Sequence, residues 1–110
     1  MIHLIKTRVS KNQIAEMMEA LGGYIKVAVD TRLGILAGGG VMHADCEEIL
    51  LKSGSKQADV WGADWHPENR NVTFKSLINI RPRQDNRSME IQNPKIRADV
   101  EKVIRNLLTL

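Results

Sequence analysis

The C-terminal segment constrains the fold most, because it is strongly amphipathic. Asn93 followed by Pro94 is typical of a helix start, with asparagine as the N-cap and proline in the first helical position. The apolar residues that follow recur at helical spacing: Ile96, Val100, Val103, Ile104, Leu107 and Leu108. This pattern predicts a helix from residue 94 to about residue 109, whose apolar face must be covered by a second layer of the protein.

The rest of the chain alternates between helical and strand-like patterns. Ser10 and Gln13 form a capping-box pattern, which predicts a helix over residues 11–21. The apolar spacing around Cys46 and Leu50 predicts a second helix over residues 44–52. Alternating or β-branched segments predict five strands, over residues 2–5, 24–29, 35–41, 59–65 and 72–81. The second and third strands, and the fourth and fifth, are expected to form β-hairpins.

The order of these elements is β-α-β-β-α-β-β-α, which predicts an α+β fold. We expect one domain over residues 1–110, with a mixed or mainly antiparallel sheet and with the helices packed on one face. A chain of 110 residues is of a common size for a single domain.

Composition excludes several classes of protein. The longest apolar stretch, Gly34 to Met42, is nine residues long and contains four glycines, whereas a membrane-spanning helix needs about 20 apolar residues. The first residues lack the basic and apolar regions of a secretory signal, and the single Cys46 cannot form an internal disulfide. We therefore expect a cytoplasmic protein with no membrane contact.

Three polar segments carry a resemblance to a known family. They are His43-Ala44-Asp45, then Gly54-Ser55-Lys56-Gln57 with Asp59 and Trp61-Gly62, then residues 76–82 (SLINIRP) with Asn86-Arg87-Ser88. With these segments the chain resembles an uncharacterised family of small prokaryotic proteins known only as a domain of unknown function. The chain differs from that family in carrying Asp85 and Arg83 where other members tend to have glycine and a smaller residue. The resemblance covers nearly the whole chain and implies no reaction, cofactor or partner.

The loop from Arg81 to Ser88 is the first candidate site. Between Arg70 and Arg87 five basic residues stand against one acidic residue, a local net charge of +4. Guanidinium groups are planar two-pronged donors that suit carboxylate and phosphate. We therefore predict a small anionic or phosphate-bearing ligand, bound by Arg81, Asn86, Arg87 and Ser88 with help from His43, Asp45, Lys56 and Asp59. The alternative is that the two arginines are internal clamps, paired with Asp45, Asp59 or Glu48.

His43 and Asp45 allow a second hypothesis. An imidazole near carboxylates can act as a general base or a metal ligand, so His43, Asp45 and Asp59 are candidates for a hydrolase or nuclease. The spacing matches no established metal signature, and capping of the helix by His43 or Asp45 is the structural alternative. Lys56 follows small residues that resemble a phosphate-binding turn, but the Walker spacing is absent and a helix-ending turn explains them. The sequence indicates no particular cofactor.

A third hypothesis is an interaction module that forms a homo-oligomer and catalyses nothing. Trp61 and Trp65 share one face of their strand and can form a partner surface, although packing in the core is the alternative. Nucleic acid is not expected as a partner, because the net charge is only +3 and the basic residues are not interleaved with aromatic side chains.

Overall fold

The five predicted strands form one antiparallel sheet in the computed structural model, which describes all 110 residues. The strands are β1 (His3–Ile5), β2 (Ile25–Asp30), β3 (Ile35–Gly38), β4 (Val60–His66) and β5 (Asn71–Thr73). They lie in the spatial order β1-β3-β2-β4-β5. β2 pairs with β4 along its whole length, from Ile25 opposite Trp65 to Asp30 opposite Val60. The α+β class and the predicted order of elements are confirmed.

The helices are α1 (Lys11–Met18), α2 (His43–Lys52) and α3 (Pro94–Leu108). Ser10 and Gln13 form the predicted capping box at the start of α1. The side chain of Asn93 accepts hydrogen bonds from the first turn of α3, as its N-cap position predicts. None of the three helices has the length and apolar character needed to span a membrane.

The two faces of the sheet differ in how they are covered. On one face, which we call the α1/α3 face, 18 buried apolar residues form a single cluster with α1 and α3, and this cluster includes both Trp61 and Trp65. On the other, the α2 face, Ala28, Ala37 and Val60 form a cluster of five with Cys46 and Leu50 of α2. The tryptophans are therefore core residues, 1% and 2% exposed.

The sequence analysis predicted that all three helices pack on one face of the sheet, and this prediction was wrong. α2 packs on the face opposite α1 and α3. β2 and β4 lie in the interior of the sheet and are buried on both faces, so a second layer is needed opposite α1 and α3. Small residues at Ala28 and Ala37 allow α2 to pack closely there. Successive side chains of β2 and β4 point to opposite faces of the sheet, and both faces are buried. The sequence of these strands does not show whether the second face is buried or exposed to solvent.

The predicted strand over residues 72–81 ends at Thr73 instead. From residue 74 to residue 92 the chain is irregular and contains two short 3₁₀ turns, Leu77–Asn79 and Pro82–Gln84. We call residues 74–92 the edge segment, because it runs beside β4 where β5 has stopped. Asp85 in this segment adopts a left-handed backbone with φ of 60°, a conformation that glycine adopts without strain.

Candidate functional site

The edge segment completes the sheet with side chains in place of a strand. β5 pairs with β4 only at residues 64–66, which leaves the backbone of Gly62 without a strand partner on that side. The Gly62 N–H donates to Oδ1 of Asn79 at 2.8 Å, and Nδ2 of Asn79 donates to the Gly62 carbonyl at 2.9 Å. The amide of Asn79 therefore takes the place of a peptide group and satisfies a buried strand edge.

Asn86 holds the edge segment together from within. Its side chain is 2% exposed, and Nδ2 faces the carbonyl oxygens of Asn79, Ser88 and Glu90 at 2.8–2.9 Å. Its Oδ1 accepts the Gln92 N–H at 2.8 Å. Asn86, which the sequence analysis assigns to ligand binding, is thus engaged by the protein itself.

Arg81 is enclosed at the same edge. Its donors face the carbonyl oxygens of Ile78, Gln57 and Val60 and the side chains of Gln84 and Glu47. The guanidinium carbon lies 4.7 Å from the centroid of the Trp61 ring. A guanidinium has five N–H groups, and five acceptors surround this one, so no donor remains for a ligand. Arg81 is thus an internal clamp, but its carboxylate partner is Glu47 and not Asp45, Asp59 or Glu48, which the sequence analysis considered.

Burial shapes the ionisation of this pair. Desolvation raises the pKa of Glu47, although the charge of Arg81 and a hydrogen bond to Gln57 counteract it. Desolvation likewise lowers the pKa of Arg81, against the opposing effect of Glu47. Glu47 and Arg81 are 13% and 10% exposed, and their closest charged atoms are 3.5 Å apart. The two side chains are therefore largely shielded from solvent, and their opposite charges compensate each other.

The other predicted site residues do not come together. Arg87 is exposed and its side chain has no hydrogen bond or ion pair, whereas Ser88 accepts a hydrogen bond from a backbone N–H in its own turn. Lys56 and Asp45 are exposed, and Asp45 lies in the first turn of α2. Asp59 pairs with Arg32 at 3.2 Å. His43 contacts neither Asp45 nor Asp59.

His43 instead pairs with Asp64, which the sequence analysis did not select. Its Nε2 lies 2.8 Å from Oδ1 of Asp64 and 3.0 Å from the carbonyl oxygen of Ala63. Because both neighbours are acceptors, Nε2 carries the proton in the neutral ring and Nδ1 is the basic nitrogen. The available signal was that Asp64 is the only carboxylate in β4, a strand that is apolar up to Ala63. Strand alternation places it on the face opposite Trp61 and Trp65.

A groove runs between α2 and the edge segment, and we call it the α2 groove. It consists of two cavities of about 390 Å³ and 580 Å³ that share Leu77 and Ile78 in their walls. The smaller cavity, the lysine end, is lined by Lys26, His43, Asp64 and Lys75. The larger cavity, the arginine end, is lined by the Glu47–Arg81 pair with Gln57 and Gln84, and by Arg83, which has no ion-pair partner.

The lysine end has an excess of positive charge. Lys26 lies on β2 directly opposite Asp64 of β4, and Lys75 enters from the edge segment. Neither ammonium group forms an ion pair, because no carboxylate oxygen lies within 4.0 Å of its nitrogen. Two cations and one carboxylate therefore face this cavity. Neither lysine was chosen from the sequence, because only the fold brings residues 26 and 75 together.

Two further findings concern metals and the cysteine. No group of three or more His, Cys, Asp or Glu side chains converges in a way that could hold a metal ion. Cys46 is buried under α2, and its desolvation raises the pKa of the thiol to about 11. The thiol is therefore protonated at neutral pH.

Comparison with known proteins gives one match. Residues 3–107 match the model of a family described as a protein of unknown function, DUF5674. No curated protein and no solved structure matches the chain significantly. The match covers almost the whole domain, and the family's description gives no activity.

Proposed function

We propose that this chain, which belongs to the DUF5674 family of proteins of unknown function, binds a small anionic ligand at the lysine end of the α2 groove. The proposal rests on one observation: the ammonium groups of Lys26 and Lys75 line a cavity of about 390 Å³, and neither has an ion-pair partner. A carboxylate or phosphate group placed between them gains charge-assisted hydrogen bonds that the protein itself does not supply.

The His43–Asp64 pair supports the same site. Asp64 holds the imidazole ring in one orientation at the wall of the cavity, and the ring is only 9% exposed. A binding site gains affinity when its polar groups are ordered before the ligand arrives. The backbone of the opposite wall is likewise fixed, because Asn79 anchors the edge segment to β4 and Asn86 cross-links the segment internally.

The arginine loop is the competing position for the anion. Arg81 offers no free donor, so a ligand there depends on Arg83, Arg87 and Ser88. Arg83 lines the arginine end as a single unpaired cation, whereas two unpaired cations face the lysine end. The Arg87 guanidinium is free but lines none of the cavities in the protein. The ligand class predicted from the sequence is retained, and its proposed position moves from the loop to the groove.

Removing one positive charge from the lysine end and one from the arginine loop distinguishes these two positions for the anion. We expect Lys75→Ala to weaken binding of inorganic phosphate by about tenfold, since one charge-assisted contact contributes roughly 1.5 kcal/mol. Arg87→Ala and the control Lys102→Ala, on the exposed side of α3, should each change affinity by less than about twofold. Isothermal titration calorimetry measures all three. A loss in Arg87→Ala with none in Lys75→Ala would return the site to the arginine loop.

The His43–Asp64 contact also favours a second candidate, an acid/base hydrolase. A histidine oriented by a carboxylate is the usual arrangement of a general base. Asp64 then takes the role that the sequence analysis gave to Asp45 and Asp59, with Nδ1 of His43 as the base. Hydrolysis of p-nitrophenyl phosphate or p-nitrophenyl acetate that is lost in both His43→Gln and Asp64→Asn would support it. Absence of turnover, or turnover unchanged in both variants, would remove it.

A further inference from the structure

We infer that the anion bound at the lysine end carries a hydroxyl group of its own, as hydrogen phosphate and 2-hydroxycarboxylates do and sulfate does not. This inference rests on the proposed function and adds the class of ligand. Its basis is a pair of hydrogen-bond acceptors on the same cavity as the two lysines, Nδ1 of His43 and the carboxylate of Asp64.

The first acceptor is Nδ1 of His43. The Nε2–H of the neutral ring faces Asp64 and the carbonyl oxygen of Ala63, which leaves Nδ1 as an acceptor. No group of the protein donates to Nδ1, and although the side chain is only 9% exposed, this atom is not sealed from solvent. The lysine end is the only cavity whose wall includes His43. Nδ1 is therefore an unused acceptor at the proposed site.

The second acceptor is the carboxylate of Asp64, whose side chain is 16% exposed. Its Oδ1 accepts the hydrogen bond from His43, and its Oδ2 has only the hydroxyl of Thr73, at 3.5 Å. A separation of this length is at the outer limit of a hydrogen bond, so Oδ2 retains the capacity to accept a further one. Because Asp64 lines the lysine end, a hydroxyl group of the ligand can donate to it there.

The other charged groups of the cavity are donors. Lys26 and Lys75 contribute ammonium groups, and Met42, His43 and Ala44 bring the start of α2 to the same wall. No side chain caps this helix, so the backbone N–H groups of His43 and Ala44 have no partner in the protein. Donors therefore match the oxygens of an anion, and the two acceptors remain for a proton that the anion itself supplies.

An anion without a hydroxyl group cannot use these acceptors. Sulfate between the lysines would place its oxygens against the lone pairs of Nδ1 and Asp64, and these groups would lose water without gaining a hydrogen bond. A site that accepts a hydrogen bond from its ligand discriminates strongly against an analogue that lacks the donor. Hydrogen phosphate and sulfate are both tetrahedral dianions at about pH 8, so this pair of ligands differs chiefly in the proton.

The test compares inorganic phosphate with sulfate by isothermal titration calorimetry at about pH 8, where the neutral form of imidazole is favoured. We expect phosphate to bind at least about tenfold more tightly, the effect of one hydrogen bond to a charged acceptor. Lactate and propionate make the same comparison for carboxylates, and lactate should bind more tightly. The two pairs of ligands also show whether the site prefers phosphate or carboxylate.

Two substitutions should reduce this preference in opposite ways. His43→Gln keeps an N–H group for Asp64 but has no acceptor at the position of Nδ1, so phosphate should bind more weakly and sulfate should be unaffected. Asp64→Asn removes the negative charge, so sulfate should bind more tightly. The matched control is His66→Gln, because the His66 ring contacts Thr73 at 3.2 Å and does not line this cavity. Thermal unfolding checks that each variant is folded.

The outcomes separate the inference from the proposed function. If sulfate binds as tightly as phosphate, or more tightly, and both are weakened by Lys75→Ala, the requirement for a hydroxyl group is refuted and anion binding survives. If none of the four anions binds, both proposals fail. A preference for phosphate that is unchanged in both His43→Gln and Asp64→Asn would mean that other groups accept the proton, and it would also overturn the inference.

Discussion

The two faces of the sheet are stabilised in different ways. The α1/α3 face has an apolar cluster of 18 buried residues under two helices. The α2 face has five such residues under one helix of ten residues, with Ile78 of the edge segment packed beside them. Buried polar side chains are found on α2 and in the edge segment, among them His43, Asn79 and Asn86.

The contrast indicates a division between scaffold and site. Apolar burial is non-directional, so the α1/α3 face tolerates substitutions that conserve volume. The α2 face depends on hydrogen bonds with fixed partners, which position the walls of a groove but are costly to break.

The largest effect is expected for Asn79→Ala. The substitution leaves both backbone groups of Gly62 and the carbonyl oxygens of Phe74 and Met89 without their partner in a buried site. With roughly 1–3 kcal/mol for each unsatisfied group and partial relaxation, we expect a loss of about 4 kcal/mol in the free energy of unfolding. Urea denaturation measures it, with the exposed Asn106→Ala as control at less than about 0.5 kcal/mol. A loss below about 1 kcal/mol would mean that water replaces the amide and that the edge is not closed.

A smaller effect is expected for Gly62→Ala. A Cβ atom at this position would lie 2.6 Å from Cβ and 2.7 Å from Oγ of Ser76, and 3.0 Å from Ile78. The edge segment would have to move away from β4, at a cost of about 2 kcal/mol. The control is Gly23→Ala, where nothing lies within 4 Å of the added Cβ. Equal stability of the two variants in thermal or urea unfolding would show that the segment is loosely packed.

The smallest effect concerns pH. Burial raises the pKa of Glu47 in the folded state above its value in the unfolded chain, so the folded state holds this proton more tightly. The contribution of Glu47 to stability is full below the unfolded pKa and is lost as the pH rises through the folded pKa. Relative to Glu47→Gln, the stability of the wild type should therefore fall as the pH rises above the pKa of a glutamate in the unfolded chain, about 4.3. Urea titrations at several pH values check this, and a constant or rising difference would contradict the buried environment of the carboxylate.

The sequence predicted the elements that follow from periodicity and capping. The stripe of α3 and the caps at Ser10 and Asn93 depend on neighbours three or four residues away, so local pattern is sufficient for them. The end of β5 was not predictable in this way. Residues 74–80 alternate like a strand, but Asn79 pairs through its side chain with a backbone group 17 residues away.

Of the residues that line the lysine end, only His43 was chosen from the sequence, and the ligand class stays a prediction. Arg81 was predicted to bind a ligand, but five acceptors of the protein surround it. Two of them lie three residues away in its own segment, and the other three come from α2, from the turn before β4 and from β4. Lys26 and Lys75 meet only because β2 pairs with β4 and the edge segment folds back across them. A basic residue's free or paired state is a tertiary property, and composition does not reveal it.

The most direct test of the account is a ¹H–¹⁵N NMR titration of the protein with methyl phosphate. Binding at the lysine end predicts saturable shifts of the backbone amides of Lys26, Ala44, Lys75 and Ser76, with the amides of residues 86–88 unchanged. Shifts confined to residues 86–88, or no saturable shift at any residue, would contradict the proposal that the α2 groove is the site of this protein.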